Sequence, residues 1–251
     1  MKKIAYVHTG SFFHLATVAD PAVRARNVEA VYWPEYAGDF TEFDSVFLAA
    51  RCHRAVISRN AAKLVRFLDG AGRKLYVDGS SQVGEWLPGT NEVMRGTNFW
   101  AWRTGENLGR ISVNKDHPLW QYLSEESVHW HYHAVLDPPA TATPLVILEP
   151  VPAAESAAGA QPDALAAGAT AQSVATQSST AQPAATPPGI DPWGHDYRAI
   201  PGHANALLYY DAGTFPAEIV VSTMDASYHH GSGFMPGATQ LLYRMLDWLR
   251  D

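Results

Sequence analysis

The chain has one cysteine, Cys52, so it can form no internal disulfide and has too few thiolates for a structural zinc cluster. Basic charge is also scarce. Lys and Arg number 18 against 25 Asp and Glu, a net charge of -7, which leaves no positive field to hold a phosphate backbone. No nucleic-acid partner is expected. No apolar run approaches the ~20 residues that span a bilayer, so no membrane partner is expected either. Against these absences stand 251 residues, 47% of them hydrophobic, which is enough for one large core in a single domain covering residues 1–251.

The start, Met1-Lys2-Lys3 before Ile4-Ala5-Tyr6-Val7, could open a secretory signal, but His8, Thr9, Gly10, Ser11 and His14 break the apolar segment such a signal needs. It is read as a first buried strand, Lys3 to His8, in a protein expected to be cytoplasmic. Further strands are predicted at 28–33, halted by Pro34, at 43–50 and at 74–78. Between Ser58 and Gly70, Ala61, Leu64, Val65 and Leu68 share one face, so a helix capped by Ser58 and ended at Gly70 and Gly72 is predicted. Strands at 109–113 and 128–136, a short helix at 118–123 and a strand at 145–149 follow. After strands at 206–210 and 218–223, a helix from about Gly237 to Leu249 turns Leu241, Leu242, Met245, Leu246 and Leu249 inward.

Residues 151–188 differ in kind. They hold 14 Ala, 5 Pro, 8 Ser or Thr and 4 Gln, with no aromatic residue and only Glu155 and Asp163 charged. Such a composition buries too little apolar surface to offset the entropy of ordering it, and a flexible insertion within one domain is expected. An Ala-driven helix at 153–169 is the alternative, but Pro152, Gly159, Pro162 and Gly168 punctuate it.

The segment order resembles the class I glutamine amidotransferase-like superfamily, nearest in pattern to its trehalose-utilisation (ThuA-like) branch. The resemblance is carried by Phe43-Asp44-Ser45-Val46-Phe47-Leu48 before a helix ending at Gly70-Ala71-Gly72, then by Lys74-Leu75-Tyr76-Val77-Asp78-Gly79-Ser80. At the far end it rests on Ile219-Val220-Val221-Ser222-Thr223-Met224-Asp225, Tyr228-His229-His230-Gly231 and Leu246-Asp247-Trp248-Leu249. It implies an α/β fold, a flavodoxin-like three-layer α/β/α sandwich with a mostly parallel sheet. Glutaminases of that superfamily carry a cysteine on the turn after the strand matching 74–78, and a histidine and a glutamate after the last strand. Here Ser80 holds the turn, and Met224 and Asp225 replace His-Pro-Glu. A non-glutaminase is therefore implied.

Several residues could carry chemistry. Ser80, on a strand-to-helix turn, could act as a nucleophile with His229, His230 or His203 as base, or could cap a helix. Cys52 beside His53 reads either as a thiolate or as a small buried apolar residue. His129, His131 and His133 would share one strand face about 7 Å apart, a polar face under a loop or part of a zinc site completed by a distant residue such as His229. Met224 to Gly233 crowds acid, phenol and imidazoles at the carboxyl end of a predicted parallel strand, where α/β sheets bind ligands. Eight Trp and eleven Tyr, several at 99–133, could stack on sugar rings or fill the core.

The expected site is thus Ser80, His229 and Asp225 as catalytic residues, with Ser11, His14, His203, Tyr228 and His230 around a ligand, and His129 and His131 as metal ligands. No cofactor is assigned. The expected function is binding of a small polar ligand, with a carbohydrate foremost. A Ser/His or metal-dependent hydrolase and a non-catalytic subunit of a larger complex stay open, as does a homo-oligomer.

Overall fold

A computed structural model describes residues 2–79, 81–95, 109–150 and 197–251. Its strands in chain order are β1 (Ile4–His8), β2 (Val28–Tyr32), β3 (Ser45–Leu48), β4 (Lys74–Val77), β5 (Asn91–Met94), β6 (Arg110–Ser112), β7 (Ala134–Asp137), β8 (Thr143–Leu148), β9 (Ala206–Asp211) and β10 (Glu218–Ser222). The helices are α1 (Phe12–Ala19), α2 (Pro21–Arg24), α3 (Arg54–Phe67), α4 (Val83–Trp86), α5 (Glu125–Val128), α6 (Ala226–Gly231) and α7 (Pro236–Arg250). The fold is α/β around one mixed sheet, ordered β2-β1-β3-β4-β10-β9-β7-β5, with β8 beside β9 and β6 on β8. Pairing is parallel from β2 through β10 and antiparallel beyond.

Residues on both sides of 151–196 thus build one sheet, since β10 sits between β4 and β9. The expected insertion lies outside the described residues. In register, Val7 stands opposite Leu48, Leu48 opposite Val77, and Val77 opposite Val221, so the carboxyl ends of β1, β3, β4 and β10 reach a common edge. These central strands are apolar runs buried at nearly every position, as expected of parallel strands covered on both faces. Tyr6, Phe47 and Tyr76 stand in adjacent strands at one level, with ring centroids 5.2 and 4.9 Å apart. Each such pair adds about 0.5–1.5 kcal/mol beyond the area it buries.

The closing helix α7 buries the predicted stripe, and its last carbonyls find side-chain donors in the sheet. Ser45 Oγ donates to the Leu249 carbonyl at 2.8 Å and Lys74 Nζ to that of Trp248 at 2.9 Å, satisfying groups that a helix end leaves without internal partners.

Two expectations are corrected, and elements appear at two places where none is predicted. The helix placed at Ser58–Gly70 begins at Arg54, because His53 Nδ1 accepts from the Ala55 N–H at 3.2 Å and so supplies the cap one turn earlier. The residues between β1 and β2, for which no element is predicted, hold α1 and α2, the latter started by Asp20, which accepts from Ala22 N–H, and by Pro21 at the first helical position. The strand placed at 128–136 is a strand only over Ala134–Asp137. Ser124 and Ser127 exchange side-chain and backbone bonds to start α5, so alternation of His with aromatics from 129 to 133 imitates a strand over a helix end and an irregular segment. No strand is predicted at β5, which is half-buried at most.

Gly231 ends α6 against α1, and a Cβ built there would drive into the Phe13 carbonyl oxygen and its backbone neighbours. Gly231→Ala is expected to cost about 1–3 kcal/mol, the range of overpacking, and to lower the thermal midpoint by several degrees. A midpoint equal to that of the native chain would refute this packing of α1 on α6.

Candidate functional site

At the common edge of the parallel strands, the chain leaves each strand into tightly cross-linked turns. Asp78, one residue past β4, is buried and accepts from the backbone N–H groups of Ala226 at 2.9 Å and Ser227 at 2.7 Å, the first residues of α6. Burial pushes its carboxyl up to about 7, against the pull of these bonds in the other direction. The Ser227 hydroxyl accepts from the Ala50 N–H at 3.1 Å, which ties the end of β3 to the same helix. Gly79 follows with φ +64°, and a Cβ there would lie 2.9 Å from the Cβ atoms of both Ala50 and Asp225. Only glycine lets the three turns approach this closely.

These contacts fix Asp225, the residue at which α6 starts. Its side chain is 1% exposed, yet four side chains converge on it. Oδ1 lies 3.2 Å from His131 Nε2 and 3.1 Å from His229 Nε2, while Oδ2 lies 2.7 Å from Arg51 Nε and 3.2 Å from His133 Nε2. Burial alone would raise this carboxyl, but the imidazoles of His131, His133 and His229 outweigh it and hold the group well below the ordinary carboxylate range. The two inner imidazoles meet each other as well, Nε2 to Nε2 at 2.7 Å. Burial lowers His131 to about 4, so its ring is neutral at physiological pH.

Arg51 forms the outer wall. It adopts a left-handed backbone conformation, φ +57°, uncommon for a residue with a side chain. Its guanidinium lies 3.6 Å from the centroid of the Tyr228 ring, and its side chain is still 43% exposed. A chain of ring contacts runs outward from here. Tyr228 meets Phe13 edge-on at 5.0 Å, Phe13 meets Phe12 at 5.3 Å, and Phe234 meets His229 at 4.7 Å. Phe12 is 68% and Phe234 40% exposed.

No family model, curated protein or solved structure matches this chain.

The expected residues divide by place. His131, Asp225, His229 and Tyr228 come together here. His14 is fully buried nearby with both ring nitrogens engaged, Nδ1 by the Ser11 N–H at 3.3 Å and Nε2 with the Ala50 carbonyl at 2.8 Å. It ties the start of α1 to the end of β3, with Ser11 at the head of that helix. His230, next in sequence to His229, points away to Asp20 at 3.1 Å and Thr239 at 3.1 Å, and so braces α6 against α7. His203 pairs with Asp137 at 2.7 Å in another part of the molecule. His129 turns to Glu125 at 2.7 Å and Ser112 at 2.9 Å, so the structure separates it from His131, because the helix end at 129 breaks the common strand face. Ser80 lies outside the described residues. Cys52 is buried, and burial pushes its thiol up to about 12, which leaves it an apolar neighbour of β1 rather than a nucleophile.

The expected site omits Arg51 and Asp78, and His133 figures only in the histidine run and not among the expected ligands. Arg51 and Asp78 each stand at the carboxyl end of a correctly predicted parallel strand, the position that should have marked them.

Burial lowers His14 to about 4, below the ordinary 6.5 that it regains on unfolding. Its contribution to stability is therefore present above pH 6.5 and is lost as pH falls through 4. Imidazole NMR signals of His14 are expected to stay neutral down to about pH 4 while the urea midpoint declines between those limits. A His14 ring that protonates near 6.5 would contradict its burial.

Proposed function

We propose that the protein is a non-glutaminase member of the class I glutamine amidotransferase-like superfamily, a flavodoxin-like three-layer α/β/α sandwich that binds a small polar ligand of the sugar or sugar-acid class. The ligand lies at the carboxyl ends of β1, β3, β4 and β10. Burial of the central strands on both faces supports the layered fold, and the absence of a reactive thiol at Cys52 supports a role other than glutamine hydrolysis.

The observation that carries the reading is Arg51. Its left-handed backbone costs of order 1–3 kcal/mol, and such strain persists where surrounding structure holds it, commonly at binding sites. Asp225 and Tyr228 are what hold it here. With Nε committed to Asp225 and Nη2 3.5 Å from His133 Nε2, the remaining N–H groups of the half-exposed guanidinium can donate to carboxylate or hydroxyl oxygens of a ligand. Phe12 and Phe234, exposed and linked to this edge through the rings of Phe13 and His229, offer surfaces suited to the apolar face of a sugar.

Calorimetric titration of the full chain with neutral hexoses, disaccharides and hexuronic acids tests this. At least one of these is expected to bind, and Arg51→Ala to weaken it at least tenfold, ~1.4 kcal/mol, with Arg51→Lys between the two. If none of these binds, or if Arg51→Ala binds as the native chain does, the reading is wrong.

A further inference from the structure

We propose that His131, Asp225 and His229 form a binding site for one divalent transition-metal ion. Each offers one ligand atom, and the three atoms form a triangle with edges of 2.7, 3.1 and 3.2 Å. The side chains are 1–2% exposed, and they come from two distant stretches, the irregular segment after α5 and the first turns of α6.

Hydrogen bonding alone does not satisfy this triangle. Each imidazole Nε2 carries either a proton or a lone pair, and the ionised Asp225 oxygen only accepts. With both nitrogens protonated, two N–H groups collide across 2.7 Å. With one protonated, the other nitrogen turns its lone pair against the carboxylate oxygen. With none, three lone pairs converge unopposed. One cation among the three atoms removes the conflict once both Nε2 atoms present lone pairs, with the ring protons on Nδ1.

The dimensions fit such an ion. The point equidistant from the three atoms lies about 1.7 Å from each, shorter than the ~2.0–2.1 Å of metal–nitrogen and metal–oxygen bonds. An ion would therefore sit about 1 Å off the plane, bound on one side and open on the other. Edges near 3 Å match neighbouring positions of a six-coordinate ion, for which bonds of ~2.1 Å place adjacent ligands about 3 Å apart, better than the wider spacing of a tetrahedron. Two imidazoles and one carboxylate on a single face is the donor set of open-sided transition-metal sites. Arg51 and His133 hold the second oxygen of Asp225, which keeps Oδ1 aimed at the triangle, as outer-shell partners of metal ligands do. Asp78 fixes the start of α6, the helix that carries His229. The inference stands apart from the sugar reading, and its test uses the ion alone.

Tag-free full chain, stripped with a chelator and desalted, is titrated with Zn²⁺ and with Co²⁺ by calorimetry. One ion per chain is expected, with a rise in the thermal midpoint on binding. His131→Ala and His229→Ala should each weaken binding at least tenfold, whereas His203→Ala, which alters the separate pair with Asp137, should bind as the native chain does. Circular dichroism shows which variants fold. If both alanine variants fail to fold, long-range ¹H–¹⁵N spectra of the native chain decide, because Zn²⁺ should move the Nε2 signals of His131 and His229 together. A folded native chain that takes up no stoichiometric ion, full binding by the folded alanine variants, or two unmoved Nε2 signals would each overturn the proposal.

Discussion

A carboxylate buried as deeply as that of Asp225 has to be compensated, because stripping an ion of water costs several kcal/mol even after the protein relaxes. Much of the architecture at this edge can be understood as meeting that demand. His229 comes from the helix that Asp225 itself begins, four residues on, so local helical geometry delivers it. Arg51 comes from the turn after β3, and His131 and His133 from the chain between α5 and β7. Four side chains from three regions distant in sequence therefore depend on one carboxylate, and the loss of any one partner leaves a buried charge short of compensation.

That convergence is possible because the turns around it are themselves tied. Asp78 captures the first N–H groups of α6, Ser227 receives the Ala50 N–H, and Gly79 leaves room for the backbones to meet. The chain of support runs from parallel register, through paired turns, to the position of a single carboxylate. Its outermost link is the strained backbone of Arg51, which is held by an ion pair and a ring face.

The parallel strands were legible in the sequence because buried parallel strands are short apolar runs, and β1, β3, β4 and β10 carry that mark without ambiguity. The stripe on α7 was legible for the same reason at helical period. The antiparallel half was less so, since β5 is half-buried at most and has no strong pattern. Of the site, Asp225 and His229 could be seen because they follow a predicted strand directly. The His-x-His-x-His run misled in a particular way. Its period of two suggested equivalence, whereas a helix end at 129 sends the first imidazole to Glu125 and the second and third to Asp225. Adjacent His229 and His230 diverge because neighbouring helical positions point about 100° apart. Which histidines share a site depends on backbone path rather than on spacing along the chain.

The place of β10 in the sheet also bears on synthesis. Lys74 pairs with Glu218, about 140 residues later, so β4 waits for its second neighbour until nearly all of the described chain has been made. At ribosomal rates of ~5–20 residues per second, the flank of β4 stays unpaired for roughly 7–30 s, a long interval for an apolar edge able to recruit the wrong strand. During that interval a nascent chain of this kind would be an apt client for chaperones that shield extended apolar segments.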